Sequence, residues 1–104
     1  MKVKITQPKF HLTLEETYIV VGIDQDCLRI VNDNGNPVLY PSFLFDIIDD
    51  KIPDDWIVSI EEDGKMYCDP PCLSGRDFYV DWFNGVLEAR SIFDEFYREL
   101  INKC

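Results

Sequence analysis

The hydrophobic pattern of this 104-residue chain changes period once, at Pro70-Pro71. Before that pair, short β-branched and aromatic runs alternate with turn residues. After it, apolar residues recur at intervals of three and four. Side chains repeat every two residues along a strand and about every 3.6 along a helix, so the chain is predicted to place antiparallel strands first and helices last. Two successive prolines neither extend a ladder nor continue a helix, which makes them the natural internal boundary.

In the first part, Val3 and Ile5 alternate with lysines in a short, edge-like start that ends before Pro8. Residues 17–23 form the densest β-branched and aromatic run, stopping at Asp24-Gln25-Asp26. Residues 27–31 alternate, Asn32-Asp33-Asn34-Gly35-Asn36 tolerate a left-handed backbone, and residues 38–40 are expected to return antiparallel. Pro41 breaks that strand, and the bulky Phe43-Leu44-Phe45 segment suits a 3₁₀ turn. Strands are expected again over 46–49, 56–60 and 65–67, the last two joined by a two-residue Asp63-Gly64 turn. Beyond the prolines, Ser74 or Asp77 is placed to cap a short helix ending at Phe83, and Asn84-Gly85 has the residues of a helix stop. A longer helix over 86–101 would align Val86, Ala89, Phe93, Phe96, Tyr97 and Leu100 in one apolar stripe. The expectation is a single α+β domain over residues 1–104, with a β portion at 1–68 and helices at 74–103 packed on it.

Hydrophobic residues at 46 % and aromatics at 13 % suffice for a core, which argues against a disordered segment. No apolar run nears the roughly 20 residues of a membrane-spanning helix. Met1 to Thr6 are followed by no apolar stretch or small-residue cleavage site, so a soluble, cytoplasmic protein without a secretory signal is expected. Cys27, Cys68, Cys72 and Cys104 should then be thiols, Cys104 an exposed one. Cys68-Asp69-Pro70-Pro71-Cys72 resembles half a zinc site, but no second pair matches it and the sole histidine, His11, is remote in sequence. Neither a metal nor another cofactor is expected.

Charge narrows the functional classes further. Twenty acidic residues against ten basic ones give a formal charge of −10. The excess is concentrated where Asp46, Asp49, Asp50, Asp54, Asp55, Glu61, Glu62 and Asp63 face only Lys51, with Trp56 in their midst. Phosphate recognition needs clustered lysine and arginine, and Lys2, Lys4 and Lys9 form only a thin basic edge, so nucleic acid is disfavoured as a partner. Catalytic patterns are equally thin. His11 belongs to no recognisable nucleophile triad, no Gly-rich phosphate loop occurs, and the spacing of an EF-hand is missing. Adjacent acids such as Asp54-Asp55 point to opposite faces of a strand and do not make a catalytic dyad. The chain is therefore read as non-enzymatic.

Tyr18-x-Val20, Leu28-Arg29-Ile30-Val31-Asn32-Asp33-x-Gly35 and Val38-Leu39-Tyr40-Pro41-Ser42-x-Leu44-Phe45 together resemble a compact bacterial SH3-like barrel. The resemblance covers about a third of the chain, and its Tyr-Pro-Ser-x-Leu-Phe segment is similar to the 3₁₀ turn before the last barrel strand. Small acidic proteins of this kind, a barrel with appended helices, occur among immunity proteins of bacterial toxin systems. The aromatic-rich start and paired tryptophan of eukaryotic SH3 domains are missing, which argues against binding of proline-rich peptides. The resemblance implies a protein that neutralises a toxin domain, and the acidity implies that this partner is basic and nuclease-like. Asp49, Asp50, Asp54, Asp55, Glu61, Glu62 and Asp63 would supply electrostatic complementarity and Trp56 a hydrophobic anchor, with Tyr40 and Phe45 as aromatic neighbours. The alternatives are a regulatory or phage-derived adaptor that binds a peptide or protein by the barrel groove or the helix stripe, and a small carboxylate-dependent hydrolase. The sequence sets no oligomeric state.

Overall fold

The computed structural model describes residues 1–75 and 77–102. It is α+β: seven antiparallel strands followed by two helices, and it divides into two compact units, Met1–Asp69 and Pro70–Cys104. The expected features of Cys104 lie outside the described residues.

In the first unit, β1 (Lys2–Ile5), β2 (Thr17–Asp24), β3 (Cys27–Val31) and β4 (Pro37–Pro41) precede a 3₁₀ turn at Ser42–Leu44. Strands β5 (Phe45–Asp49), β6 (Ile57–Ile60) and β7 (Met66–Asp69) follow. The ladder runs β4-β3-β2-β1-β5, and β7 pairs with both β2 and β6. The expected barrel is an open sheet among the described residues, because β4 and β5 end the path and are joined by the 3₁₀ turn instead of by a ladder. Strand β1 is not at an edge. It lies between β2 and β5, with Val3 and Ile5 wholly buried and its lysines on the other face. Alternation along four residues reports a buried face and carries no information on how many neighbours the strand has.

Strand β2 bends in its middle. Val20 pairs with Ile30 and Gly22 with Arg29, leaving Val21 without a counterpart, the arrangement of a β-bulge. The first half of β2 pairs with β1 and the last two residues with β7, while β3 occupies the opposite edge. Gly22 lies close to a neighbour: a Cβ there would be 2.6 Å from an Asp69 carboxylate oxygen, so that side chain would have to shift. Burial raises the Asp69 carboxyl above the usual carboxylate range, against the opposing pull of Arg29.

Both open hairpin turns have three-residue loops. Gly35 donates to Asn32 and Asn32 pairs with Asn36; likewise Gly64 donates to Glu61 and Glu61 pairs with Lys65. Each glycine has positive φ, as a type I turn with a following bulge residue needs. The β6–β7 connection is thus longer than the two-residue turn expected from Asp63-Gly64.

A polar cluster ties the segment between β1 and β2 onto the β3–β4 turn. Thr13 and Tyr18 hydroxyls each donate to Asp33 at 2.7 Å, and the Asp33 N–H donates to the His11 carbonyl at 2.8 Å. Asn32 is buried, its side-chain oxygen accepting from the Asn34 and Asn36 amides and its amide donating to the Tyr40 hydroxyl. His11 and Glu15 hold positive φ in this segment, a strained conformation for residues with a Cβ.

The second unit contains a 3₁₀ turn at Pro71–Leu73, α1 (Phe78–Phe83) and α2 (Leu87–Asn102). Asp77 occupies the N-cap position without a side-chain cap bond. The C-terminus of α1 is closed by a Schellman motif in which Gly85, at φ 81°, donates to Trp82 and Val86 to Asp81. Ala89 and Phe93 are buried and Phe96, Tyr97 and Leu100 half-buried, whereas Val86 precedes α2 and is exposed. Trp82, Phe93 and Tyr97 form a ring series, with the Arg90 guanidinium 4.5 Å above the Trp82 ring.

The hydroxyls of Thr13 and, secondarily, Tyr18 hold the Asp33 carboxyl below its usual range. A depressed folded value adds stability that is present above the unfolded carboxylate value, near pH 4, and is lost as pH falls through the folded value. In thermal unfolding followed from pH 7 to pH 2, Asp33→Asn should show a shallower acid loss than the parent; parallel acid limbs would refute this role.

Candidate docking surface

The acidic residues expected to form a site are all exposed. Asp46 and Asp49 belong to β5, Asp50 follows it, Asp54 and Asp55 lie in the Pro53–Trp56 turn, and Glu61, Glu62 and Asp63 form the β6–β7 turn. Two are engaged locally: Asp49 accepts the Lys51 N–H at 2.9 Å, and Asp63 accepts the Lys65 N–H and lies 3.4 Å from its ammonium. Asp50, Asp54, Asp55, Glu61 and Glu62 make no side-chain hydrogen bond or ion pair among the described residues. Their charges project into solvent and contribute a local negative potential.

Trp56 does not join them. It is 7 % exposed, and Tyr40 and Phe45 are buried as well, so the aromatic residues expected to anchor a partner are core residues. A large aromatic ring removes much apolar area from water when it packs in the interior, and a buried ring is not available for docking. Isoleucine and valine take its place on the surface. All four residues of β6 are exposed, with Ile57 at 47 %, Val58 at 57 % and Ile60 at 72 %, and Ile47 and Ile48 on β5 are exposed too. Sequence reasoning placed a strand over these residues without assigning its faces; side chains on both faces of β6 are exposed among the described residues.

The acids and the apolar residues share one element. Asp54 and Asp55 precede β6, Glu61 to Asp63 follow it, and the strand between spans about 13 Å at the usual rise per residue. An exposed apolar strand flanked by acids offers contact area together with a local negative potential.

Elsewhere, burial raises the Cys68 thiol above its ordinary value, while Cys72 is exposed. Among the described residues no three His, Cys, Asp or Glu side chains converge to hold a metal ion, and no helix is long and apolar enough to cross a membrane. Comparison with protein-family models, curated proteins and solved structures finds no match.

If Trp56 is core and Ile60 surface, their truncations separate. Trp56→Ala should cost about 3–5 kcal/mol of folding stability and Ile60→Ala within about 0.5 kcal/mol, measured by urea unfolding. Equal losses would place both side chains in one environment and contradict the assignment.

Proposed function

We propose that this chain is a non-catalytic protein-binding protein, an immunity protein that neutralises a cognate basic, nuclease-like toxin domain through its acidic face. The observation that carries the reading is the placement of solvent-directed acids at both ends of an exposed apolar strand. A nuclease holds phosphates with clustered cations, so its active-site surface attracts an acidic inhibitor for the same reason that it attracts substrate. Asp49, Asp50, Asp54, Asp55, Glu61, Glu62 and Asp63 provide that attraction. Ile57, Val58 and Ile60, in place of Trp56, provide the apolar contact that slows dissociation. The inhibitor needs no reactive group of its own. Occupying the site and matching its charge are enough.

The test uses the product of the reading frame immediately upstream, expressed together with this chain. A toxin domain encoded there should co-purify in a defined complex. Replacing Asp54, Asp55, Glu61 and Glu62 by lysine should lower the association rate constant by about 10- to 100-fold at low salt and flatten its dependence on ionic strength. Association kinetics unchanged by the four reversals would defeat the assignment of this face.

A further inference from the structure

We propose that β6 is a strand-addition site, where an extended basic segment of the partner pairs with the free strand edge through the main chain of Val58 and Ile60. This rests on the reading of the acidic face as the site for a basic protein, and it specifies how that protein is held.

The sheet has three outer edges, and two of them are obstructed. On β4, Asn32 and Asn36 form a hydrogen-bonded pair, so alternation along the ladder directs the backbone of residues 37, 39 and 41 outward. Pro37 and Pro41 occupy two of those three positions and supply no N–H. On β5, Lys2 pairs with Asp49 and Val3 with Ile47, leaving Ile48 as an unmatched residue that interrupts the regular edge. Strand β6 carries neither device. Its Ile57-Val58-Ser59-Ile60 segment has no proline, no charge and no register shift against β7.

The pairing also says which groups are free. The Glu61 N–H donates to the Lys65 carbonyl, which makes Ser59–Tyr67 and Ile57–Asp69 the next hydrogen-bonded pairs along the antiparallel ladder. The N–H and C=O groups of Val58 and Ile60 therefore face away from β7. They offer two donors and two acceptors at the spacing an added strand uses. Soluble proteins usually protect such an edge with lysine, proline or a bulge. Here the protection is acidic and sits at the two ends.

That charge arrangement selects the occupant. Antiparallel pairing of β6 with a second copy would set Asp54 and Asp55 of one chain beside Glu61 to Asp63 of the other, and like charges oppose that contact. A strand with apolar residues in its centre and lysine or arginine at its ends meets the opposite potential at both ends. The edge thus excludes its own copy while admitting a cationic segment.

The probe is an acetylated, amidated octapeptide, Lys-Lys-Val-Thr-Val-Thr-Lys-Lys, compared with the same peptide N-methylated at its four central residues and with a glutamine-for-lysine version. The intact peptide should slow hydrogen exchange at the Val58 and Ile60 amides. N-methylation, which keeps charge and side chains but removes the ladder donors, should weaken binding by about tenfold or more. Equal affinity for the intact and methylated peptides would overturn strand addition while leaving the acidic face as a docking site. Equal affinity for the glutamine version would instead contradict the acidic reading. No binding at millimolar peptide, protection away from β6, or a β6-paired dimer in sedimentation would each overturn the proposal.

Discussion

The bend in β2 is the constraint on which the sheet depends. With Val21 bulged out of the β3 ladder, one strand presents β3 along one edge and offers the other edge to β1 first and β7 second. The β1 pairs lie before the bulge and the β7 pairs after it. Gly22, with no Cβ, leaves room there for the Asp69 carboxylate at the end of β7. The β6–β7 hairpin is held to the sheet through Ile23, Asp24 and the Gln25 N–H, which donates to the Met66 carbonyl, and β6 is an outer strand with a single neighbour. The strand that carries the proposed interface is thus placed through the pairing of β7 with the end of the most β-rich segment of the chain.

Charge and apolar surface play separate parts in this unit. Its interior is supplied by Val3, Ile5, Val20, Val21, Ile30, Tyr40 and Trp56, none of which depends on the acidic residues. The acids belong to solvent. Exposed isoleucine and valine on a short edge strand would ordinarily invite self-association, and the flanking acids oppose that by placing like charge against like charge. The same arrangement favours a cationic protein. On the proposed reading, one set of residues opposes self-association and selects the partner, which would account for the concentration of negative charge next to the exposed strand.

Much of the fold was legible in local pattern. The β-branched density of residues 17–23, the proline after Tyr40, the period of the last third and the Asn84-Gly85 stop each correspond to an observed element, because each is decided by neighbours in sequence. What failed was decided at a distance. The interior position of β1, the bulge at Val21 and the open sheet depend on pairing partners that no short window contains. The site divided along the same line. The acids were exposed as their charge requires, whereas Trp56 went to the core and the isoleucines of β6 to the surface, since hydrophobicity alone does not say which apolar residue finds a neighbour.

The central claim is that the acidic, isoleucine-bearing edge, and no other surface, receives the partner. Residue-resolved amide hydrogen exchange of the full chain, free and bound to the proposed basic partner once that partner is obtained from the neighbouring reading frame, addresses this directly. Slowed exchange concentrated in residues 46–63 is the expected footprint. Protection centred instead on the exposed Phe83, Val86 and Leu87 around the α1–α2 turn, with residues 46–63 unaffected, would contradict the claim.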